Sequence, residues 1–207
     1  MYNPTHFAET DRAAQLALID RHPFGTLMTV SGGKLSISTI PFLLGADGAS
    51  LIGHVARANP HWREFAGATD VAVGFIGPHA YISPTWYSSP NMVPTWNYVA
   101  VEVRGTIELL EDREARLDVV DRLSARHEAA LPQPWRSAKM DPTLRDKLLE
   151  AIVAFRVSIT SIDAKAKLGQ NRKPDDVRGA AAALRALSTE SAEARLAALM
   201  LDAIAPS

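Results

Sequence analysis

The chain has 207 residues, of which 47% are hydrophobic, and its 22 lysine and arginine residues almost balance 23 aspartate and glutamate residues, for a net charge of −1. This length and apolar content suit one compact domain, or a domain with an appendage, and exclude a disordered chain. The near-neutral charge excludes a strongly basic nucleic-acid binder, and the lack of cysteine excludes disulfides, thiolate nucleophiles and cysteine-ligated metal centres.

The N-terminal residues and the hydropathy predict a soluble, cytoplasmic protein. The opening residues MYNPTH have neither the basic region nor the apolar region of a signal peptide. Apolar runs stay well below the roughly 18 residues of a membrane span. We therefore expect no membrane partner.

The predicted elements change from mainly extended to mainly helical along the chain. Thr10 is predicted to cap a first helix that ends at Pro23. Strands are predicted where β-forming residues alternate with polar ones or flank glycine turns, at 24–30, 35–44, 50–55, 71–76, 80–83, 96–110 and 155–162. Further helices are predicted at 60–65, after Asp112, around Leu144, Leu148 and Ile152, and from Pro174 onward.

This order predicts a mainly β (α+β) fold, in which antiparallel strands form a small β-barrel with peripheral helices and a helical C-terminal tail. A doubly wound α/β domain would need a helix after almost every strand, and the chain lacks those helices.

One segment has the character of an anion site. A predicted strand leads to Asn59 and Pro60, a favoured N-cap followed by a favoured first helical residue, and Arg57 and Arg63 flank them. Amide hydrogens at a helix start and guanidinium groups together suit a phosphate. An ordinary capped helix with two surface arginines is the simpler alternative.

Other candidate groups are aromatic, basic and imidazole side chains. Six of the eight Trp and Tyr residues lie between Trp62 and Tyr98, which indicates either a barrel core with a dimer contact or a site for a planar ligand. The basic segment 165–174 is either a solvated loop or an arm that closes over an anion. Irregular histidine spacing predicts no metal site, and hydrolase and nucleotide-loop motifs are absent.

Several strings resemble the PaiB family, described as FMN-binding negative transcriptional regulators. They are HPFGTL (22–27), GHVARANPHWR (53–63), GPHAYISP (77–84), VPTWNY (93–98) and KLGQNR (167–172). The resemblance runs from about Tyr2 to Gly179. It implies an FMN-binding split-barrel domain over 1–179, and it leaves 180–207 as a helical extension that packs on the domain or the dimer.

The resemblance further implies a homodimer with FMN in the groove between subunits. The phosphate would lie at the start of the helix after Asn59, and strand residues 38–41 would run along the isoalloxazine ring. The implied cofactor-binding residues are Ser38, Thr39, Ile40, Pro41, Gly53, His54, Arg57, Ala58, Asn59, Trp62, Trp96, Asn97, Lys167, Gln170 and Asn171. Three positions differ from the family's usual residues, since Gly169 replaces Ser and both Ile40 and Glu102 replace His.

Three functions are compatible with these residues. The first is a flavin-binding regulator of the PaiB type, with DNA or a regulatory protein as partner, although no helix-turn-helix with a basic recognition helix is visible. The second is an FMN-dependent oxidoreductase that uses NAD(P)H to reduce flavins, small molecules or haem-related substrates. The third is a structural paralogue that has lost the cofactor, which Ile40 and Glu102 leave open.

Overall fold

A computed structural model describes residues 1–66, 69–187 and 192–204. In these residues the strands are β1 (Ala8–Glu9), β2 (Phe24–Ser31), β3 (Lys34–Pro41), β4 (Leu43–Leu44), β5 (Ser50–Ala56), β6 (Thr69–Ile82), β7 (Thr95–Leu110) and β8 (Ile152–Lys167). The α-helices are α1 (Arg12–Arg21), α2 (Arg113–Glu128), α3 (Pro142–Glu150), α4 (Pro174–Leu187) and α5 (Ala192–Asp202). Short 3₁₀ helices occupy Thr5–Phe7, Pro60–Glu64, Pro84–Trp86 and Ser137–Lys139.

The eight described strands form one sheet in the order β3-β2-β6-β7-β8-β5-β4, with β1 paired to β8. The ladders β1–β8, β2–β3, β2–β6, β4–β5 and β5–β8 are all antiparallel. Because β3 and β4 stand at the two ends of this order, the sheet is open. The predicted mainly β, antiparallel architecture with peripheral helices is confirmed.

Some element boundaries differ from those predicted. The predicted strands 71–76 and 80–83 form one continuous strand, β6. The ladder between β6 and β2 covers only 71–75, so Pro78, which has no N–H, interrupts no hydrogen bond of that ladder. The predicted strand 35–44 is interrupted at Phe42, whose N–H donates to the Pro23 carbonyl instead. Asp11 rather than Thr10 caps α1, since its Oδ2 accepts from the Ala14 N–H at 2.9 Å.

The helical stripe predicted around residues 144–152 was wrong. Leu144 and Leu148 are each 50% exposed, whereas Leu149 is buried and Ile152 already belongs to β8. Helix α3 ends at Glu150, because the following segment pairs with β5 from Ile152 onward. Tertiary pairing therefore overrides the helical periodicity at this point.

The chain divides into two compact units, of which unit 2 comprises Ile19–Phe75 and Val103–Ile162. Its interior contains a cluster of phenylalanine rings in edge-to-face contact. The Phe42 centroid lies 5.6 Å from that of Phe75 and 6.0 Å from that of Phe155, and the Phe65 and Phe155 centroids are 5.3 Å apart. Phe75 lies in β6, Phe155 in β8 and Phe42 directly after β3, while Phe65 directly follows the 3₁₀ helix Pro60–Glu64. The rings therefore pack these strands and this helix together.

Unit 1 comprises Met1–Leu18, Ile76–Glu102 and Asp163–Ser207. Its core joins the Ala- and Leu-rich faces of α4 and α5 to strand residues such as Ile82 and Val99. The predicted boundary after Gly179 falls inside α4 and stays a prediction. Parts of the predicted extension, 188–191 and 205–207, lie outside the described residues. Among the described helices none is both long enough and apolar enough to cross a membrane.

Candidate functional site

The turn after β5 forms as its residues predict. Asn59 has an extended conformation, with φ −74° and ψ 113°, and its Oδ1 accepts a hydrogen bond from the His61 N–H at 3.1 Å. Pro60 follows as the first residue of the 3₁₀ helix Pro60–Glu64, which is tighter and shorter than an α-helix. The predicted cap at Asn59 is confirmed.

Arg57 is held rigidly beside this turn. Its Nε donates to the Glu150 carbonyl at 2.6 Å, and its Nη2 donates to the Ile152 carbonyl at 3.0 Å. The guanidinium carbon lies 5.8 Å from the Trp62 ring centroid, and the Trp62 Nε1–H donates to the Arg57 carbonyl at 2.9 Å. These contacts leave Nη1 as the part of the guanidinium group that can meet a ligand.

A buried polar network joins the 3₁₀ helix to β2 and β3. The His61 ring, 4% exposed, lies 2.8 Å from the Ser38 Oγ through Nδ1 and 2.8 Å from the Thr29 Oγ1 through Nε2. Thr29 and Ser36 both donate hydroxyl hydrogens to the Glu64 carboxylate. Three hydroxyl side chains therefore anchor one imidazole and one carboxylate.

The ionisation of this network follows from its surroundings. Burial lowers the pKa of His61, although the Glu64 charge opposes this shift. The hydrogen bonds from Ser36 and Thr29 lower the pKa of Glu64. At neutral pH the network therefore holds a neutral imidazole and an ionised carboxylate.

The predicted ring-contact residues 38–41 lie in β3, at one end of the sheet. Ser38 is buried, Thr39 is exposed, and Ile40 and Pro41 are half-buried. Because β3 pairs with β2 alone among the described strands, the backbone groups on its other edge are outside the ladder. This edge offers N–H donors and C=O acceptors to the polar edge of a planar ligand.

Gly53 and His54 are adjacent in β5 and face opposite sides of it. Gly53 faces the Phe155 ring, so a Cβ at this position would lie 2.9 Å from the Phe155 Cζ. His54 shares the face of Ile52, which packs against α2. The His54 Nδ1 is buried without a partner among the described residues, and burial lowers its pKa.

In unit 1 the strand β7 separates Trp96 from Asn97, as the alternation predicts. Trp96 is 53% exposed, and its ring centroid lies 6.2 Å from that of His79 and 6.3 Å from that of Tyr81. Asn97 is buried on the opposite face, where its Nδ2 would lie 3.7 Å from a Cβ at Gly169. Gly169 has φ +93°, a conformation that glycine adopts readily and serine rarely.

Lys167 and Gln170 make contacts within unit 1. The Lys167 Nζ donates to the Thr95 hydroxyl and to the Trp96 carbonyl, and burial lowers its pKa. The Gln170 Oε1 accepts from the Leu168 N–H at 2.8 Å, so its amide stabilises its own turn. Asn171 is exposed. The structure thus brings Lys167 to Trp96 and directs Gln170 back onto its own backbone.

Sequence reasoning missed the role of His61, Thr29, Ser36 and Glu64. A signal was present in β3, where Ser36 and Ser38 alternate with Leu35 and Ile37. The serines point inward to the network, and the two apolar residues point outward, with 54% and 56% of their surface exposed. Hydroxyl groups on the inner face of a strand indicate a buried polar partner.

The residues around Asn59 have the chemistry that an FMN phosphate requires. A phosphate binds cationic groups and N–H or O–H donors. Arg57 contributes a charged Nη1, and Asn59 contributes an amide held by its own contacts. Glu64 is the nearby carboxylate, and hydroxyl groups already satisfy it. The donor set therefore fits the group.

Comparison with known proteins gives the family. A family model described as "Putative FMN-binding domain" matches residues 1–161. The chain is 38% identical over 178 residues to "Protease synthase and sporulation protein PAI 2" of Bacillus subtilis (strain 168), an alignment that covers 85% of each protein. It is also 25% identical over 233 residues to the protein AN0679 of Emericella nidulans.

Solved structures share the fold. The FAD and heme binding protein from Mycobacterium smegmatis matches with a TM-score of 0.60 and 23% identity, over 77% of this chain and 73% of that one. The flavocytochrome Anf3 from Azotobacter vinelandii matches with a TM-score of 0.61 and 15% identity, over 77% and 69%. The predicted split-barrel fold is confirmed. Because the FMN-binding model covers most of the chain and PAI 2 is similar over most of its length, this protein belongs to the PaiB family of FMN-binding domains.

Proposed function

We propose that this protein is a homodimeric flavoprotein of the PaiB type with a regulatory role, and that residues 57–59 receive the FMN phosphate. The observation that carries the proposal is the anchoring of the Arg57 guanidinium group. Two of its nitrogens are fixed on backbone carbonyls, so Nη1 is oriented before any ligand arrives. A preoriented cation loses little conformational entropy on binding a phosphate.

The same loop supports the rest of the proposed contacts. Asn59 and Ser38 are joined by a hydrogen bond of 2.9 Å, so the phosphate donors and the start of the ring-contact segment form one rigid set. The free edge of β3 at residues 38–41 would hydrogen-bond the polar edge of the ring. Gly53, His54, Ala58 and Trp62 complete this proposal within unit 2. The proposed roles of Trp96, Asn97, Lys167, Gln170 and Asn171 stay predictions.

Bound FMN supplies the redox chemistry of its ring, and the protein supplies position and electrostatics. Arg57 would neutralise phosphate charge. The neutral His61 adds no charge of its own to the loop. These residues bind and orient the cofactor.

Homodimer formation is supported by the outer face of β2 and β3. Phe24, Val30, Leu35 and Ile37 each expose more than half of their surface. Adjacent ladder partners such as Val30 and Leu35 make these side chains neighbours on one face. An exposed apolar sheet face of this kind is typical of a subunit interface.

The regulatory role is proposed by analogy with PAI 2, which is named a protease synthase and sporulation protein. An oxidoreductase is the alternative, and the two differ in one measurement. A regulator should leave NAD(P)H unoxidised in the presence of flavin and oxygen. Steady NAD(P)H turnover with a flavin or haem-related acceptor would instead assign an enzyme.

The cofactor proposal is tested by the visible spectrum of the purified protein and by flavin titration. We expect flavin absorption bands that survive desalting, and tighter binding of FMN than of riboflavin, which lacks the phosphate. Arg57→Gln keeps an amide donor but removes the charge, so FMN affinity should fall at least roughly tenfold, the effect of about 1.5 kcal/mol or more for a charged hydrogen bond.

Arg122→Gln is the matched control, because Arg122 lies on α2, pairs with Asp118 at 3.4 Å and is not a candidate for the phosphate. Its FMN affinity should stay within about twofold of wild type, well under the tenfold step of 1.4 kcal/mol. A protein that stays colourless in excess FMN, or equal losses in both variants, would reject the proposed phosphate site.

A further inference from the structure

His61 is fixed in place by three hydrogen bonds, although it carries no assigned role. Its ring nitrogens meet Ser38 on β3 and Thr29 on β2, both at 2.8 Å. Its backbone N–H donates to the Asn59 Oδ1 at 3.1 Å. A side chain that is 96% buried and bonded on both nitrogens has one available orientation.

The hydrogen-bond partners of His61 determine where each proton lies in this series of hydrogen bonds. Thr29 donates its only hydroxyl hydrogen to Glu64, so it must accept from the His61 Nε2–H. The neutral ring then has a bare Nδ1, which accepts the hydroxyl hydrogen of Ser38. The Ser38 oxygen is thereby left as the acceptor for the Asn59 Nδ2–H at 2.9 Å.

This order of protons fixes the carboxamide of Asn59 in one orientation. The Asn59 Oδ1 receives the His61 N–H, and one of the two Nδ2 hydrogens goes to Ser38. A flipped amide would place its NH₂ group against the His61 N–H, donor against donor, and its oxygen against the Ser38 oxygen, acceptor against acceptor. One Nδ2–H remains for a ligand.

We propose that His61 is a positioning residue of the phosphate site, which acts through Ser38 to hold the Asn59 amide with one N–H directed to the FMN phosphate. The inference rests on the proposed function, because it takes the phosphate to lie at residues 57–59. It assigns His61 no contact with the flavin. Its effect is specific to the phosphate, because the network uses the Ser38 hydroxyl, whereas the ring contacts proposed for residues 38–41 use the backbone of β3.

Two substitutions distinguish the contact of the imidazole Nδ1 with Ser38 from the contact of its Nε2 with Thr29. His61→Asn places an amide near the former Nδ1 and keeps an acceptor for Ser38, whereas His61→Gln places an amide near the former Nε2 and keeps only the Thr29 contact. If the Ser38 contact carries the effect, His61→Gln should lose selectivity for FMN and His61→Asn should retain it. Ser38→Ala should reproduce the loss, because it removes the link to Asn59.

The experiment measures dissociation constants of FMN and riboflavin by quenching of flavin fluorescence, for wild type and each variant, with thermal melts to verify folding. For His61→Gln and Ser38→Ala we expect the preference for FMN over riboflavin to fall about tenfold, the effect of one hydrogen bond near the top of its usual range. Riboflavin affinity should change less than about twofold, a small fraction of that tenfold step. The double variant His61→Gln/Ser38→Ala should lose no more of the preference for FMN than either single variant, because both substitutions break the same series of hydrogen bonds.

His127→Gln is the control, since His127 is exposed in the last turn of α2 and is not among the predicted cofactor-binding residues. Equal loss of both ligands in His61→Gln, or an unchanged FMN preference in a folded variant, would overturn the role of His61. If instead wild type itself binds FMN and riboflavin equally, and Arg57→Gln changes nothing, the proposed phosphate site has failed and the inference falls with it.

Discussion

At the scale of single residues, Asp176 shows how one carboxylate can organise a loop. It is 1% exposed in the first turn of α4 and accepts hydrogen bonds from the backbone N–H and the hydroxyl of both Ser88 and Ser89, at 2.7–2.9 Å. These four donors lower the pKa of Asp176 to about 2. The proline-containing loop before β7 is therefore attached to α4 through an ionised group.

We predict that Asp176→Asn lowers the melting temperature at neutral pH, because an amide cannot accept four hydrogen bonds. The folded pKa of about 2 lies below the unfolded value of roughly 3.9, so the ionised carboxylate stabilises the fold above about pH 4. That contribution is lost as the pH falls through about 2. Thermal melts from pH 7 to pH 2 should show the two proteins converging.

The neighbouring Asp175 provides the control for this prediction. It is exposed and pairs with Arg178 one helical turn away. Asp175→Asn should leave the melting temperature nearly unchanged at all pH values, as expected of a surface ion pair. A constant difference between wild type and Asp176→Asn down to pH 2 would contradict the role of the charge.

At the scale of elements, the packing of β5 depends on a missing side chain. Gly53 pairs with Phe155 on β8, and the Phe155 ring occupies the space in which a Cβ would lie. The resemblance assigns Gly53 to the cofactor, whereas the structure gives a packing reason for the same glycine. In both cases a neighbouring group, the cofactor or the Phe155 ring, lies close to the β5 backbone at Gly53.

We predict that Gly53→Ala destabilises the fold by about 1–3 kcal/mol, because the new methyl group would overlap Phe155 at 2.9 Å. Gly74→Ala in β6 is the matched control, since its Cβ would make an ordinary contact of 3.7 Å with the Met28 Cε. Urea unfolding of both variants measures the difference. Equal stabilities would show that the Phe155 ring moves aside freely.

At the scale of the whole molecule, the outward apolar face of β2 and β3 must be covered or remain in water. Ile37 is 56% exposed and pairs with Met28 at the centre of this face. Light scattering of wild type should give the mass of a dimer. Ile37→Asp places a charge at the proposed interface, and burying an unpaired charge is costly, so we expect a monomer.

Leu144→Asp is the control for the dimer prediction. Leu144 on α3 is 50% exposed but does not belong to the β2–β3 face. We expect this variant to remain dimeric. That result would show that replacing an exposed apolar side chain by a charged one does not by itself dissociate the protein. A monomeric wild type, or an Ile37→Asp dimer of unchanged affinity, would place the interface elsewhere.

Local signals in the sequence determined the elements and the family. Alternation in 96–110 predicted β7 and the opposite faces of Trp96 and Asn97, and Asn59 followed by Pro60 predicted the cap. Both depend on residues adjacent in the chain, so local stereochemistry decides them. The motif strings predicted the PaiB family and with it the FMN-binding split barrel.

The tertiary structure alone decided which of those residues act together. Ser38, Asn59 and His61 meet because pairing of β3 with β2 brings Thr29 and Ser38 onto the same inner face. The anchoring of Arg57 on the Glu150 and Ile152 carbonyls joins residues more than ninety positions apart. Such contacts depend on strand register and burial, which no short stretch of sequence specifies.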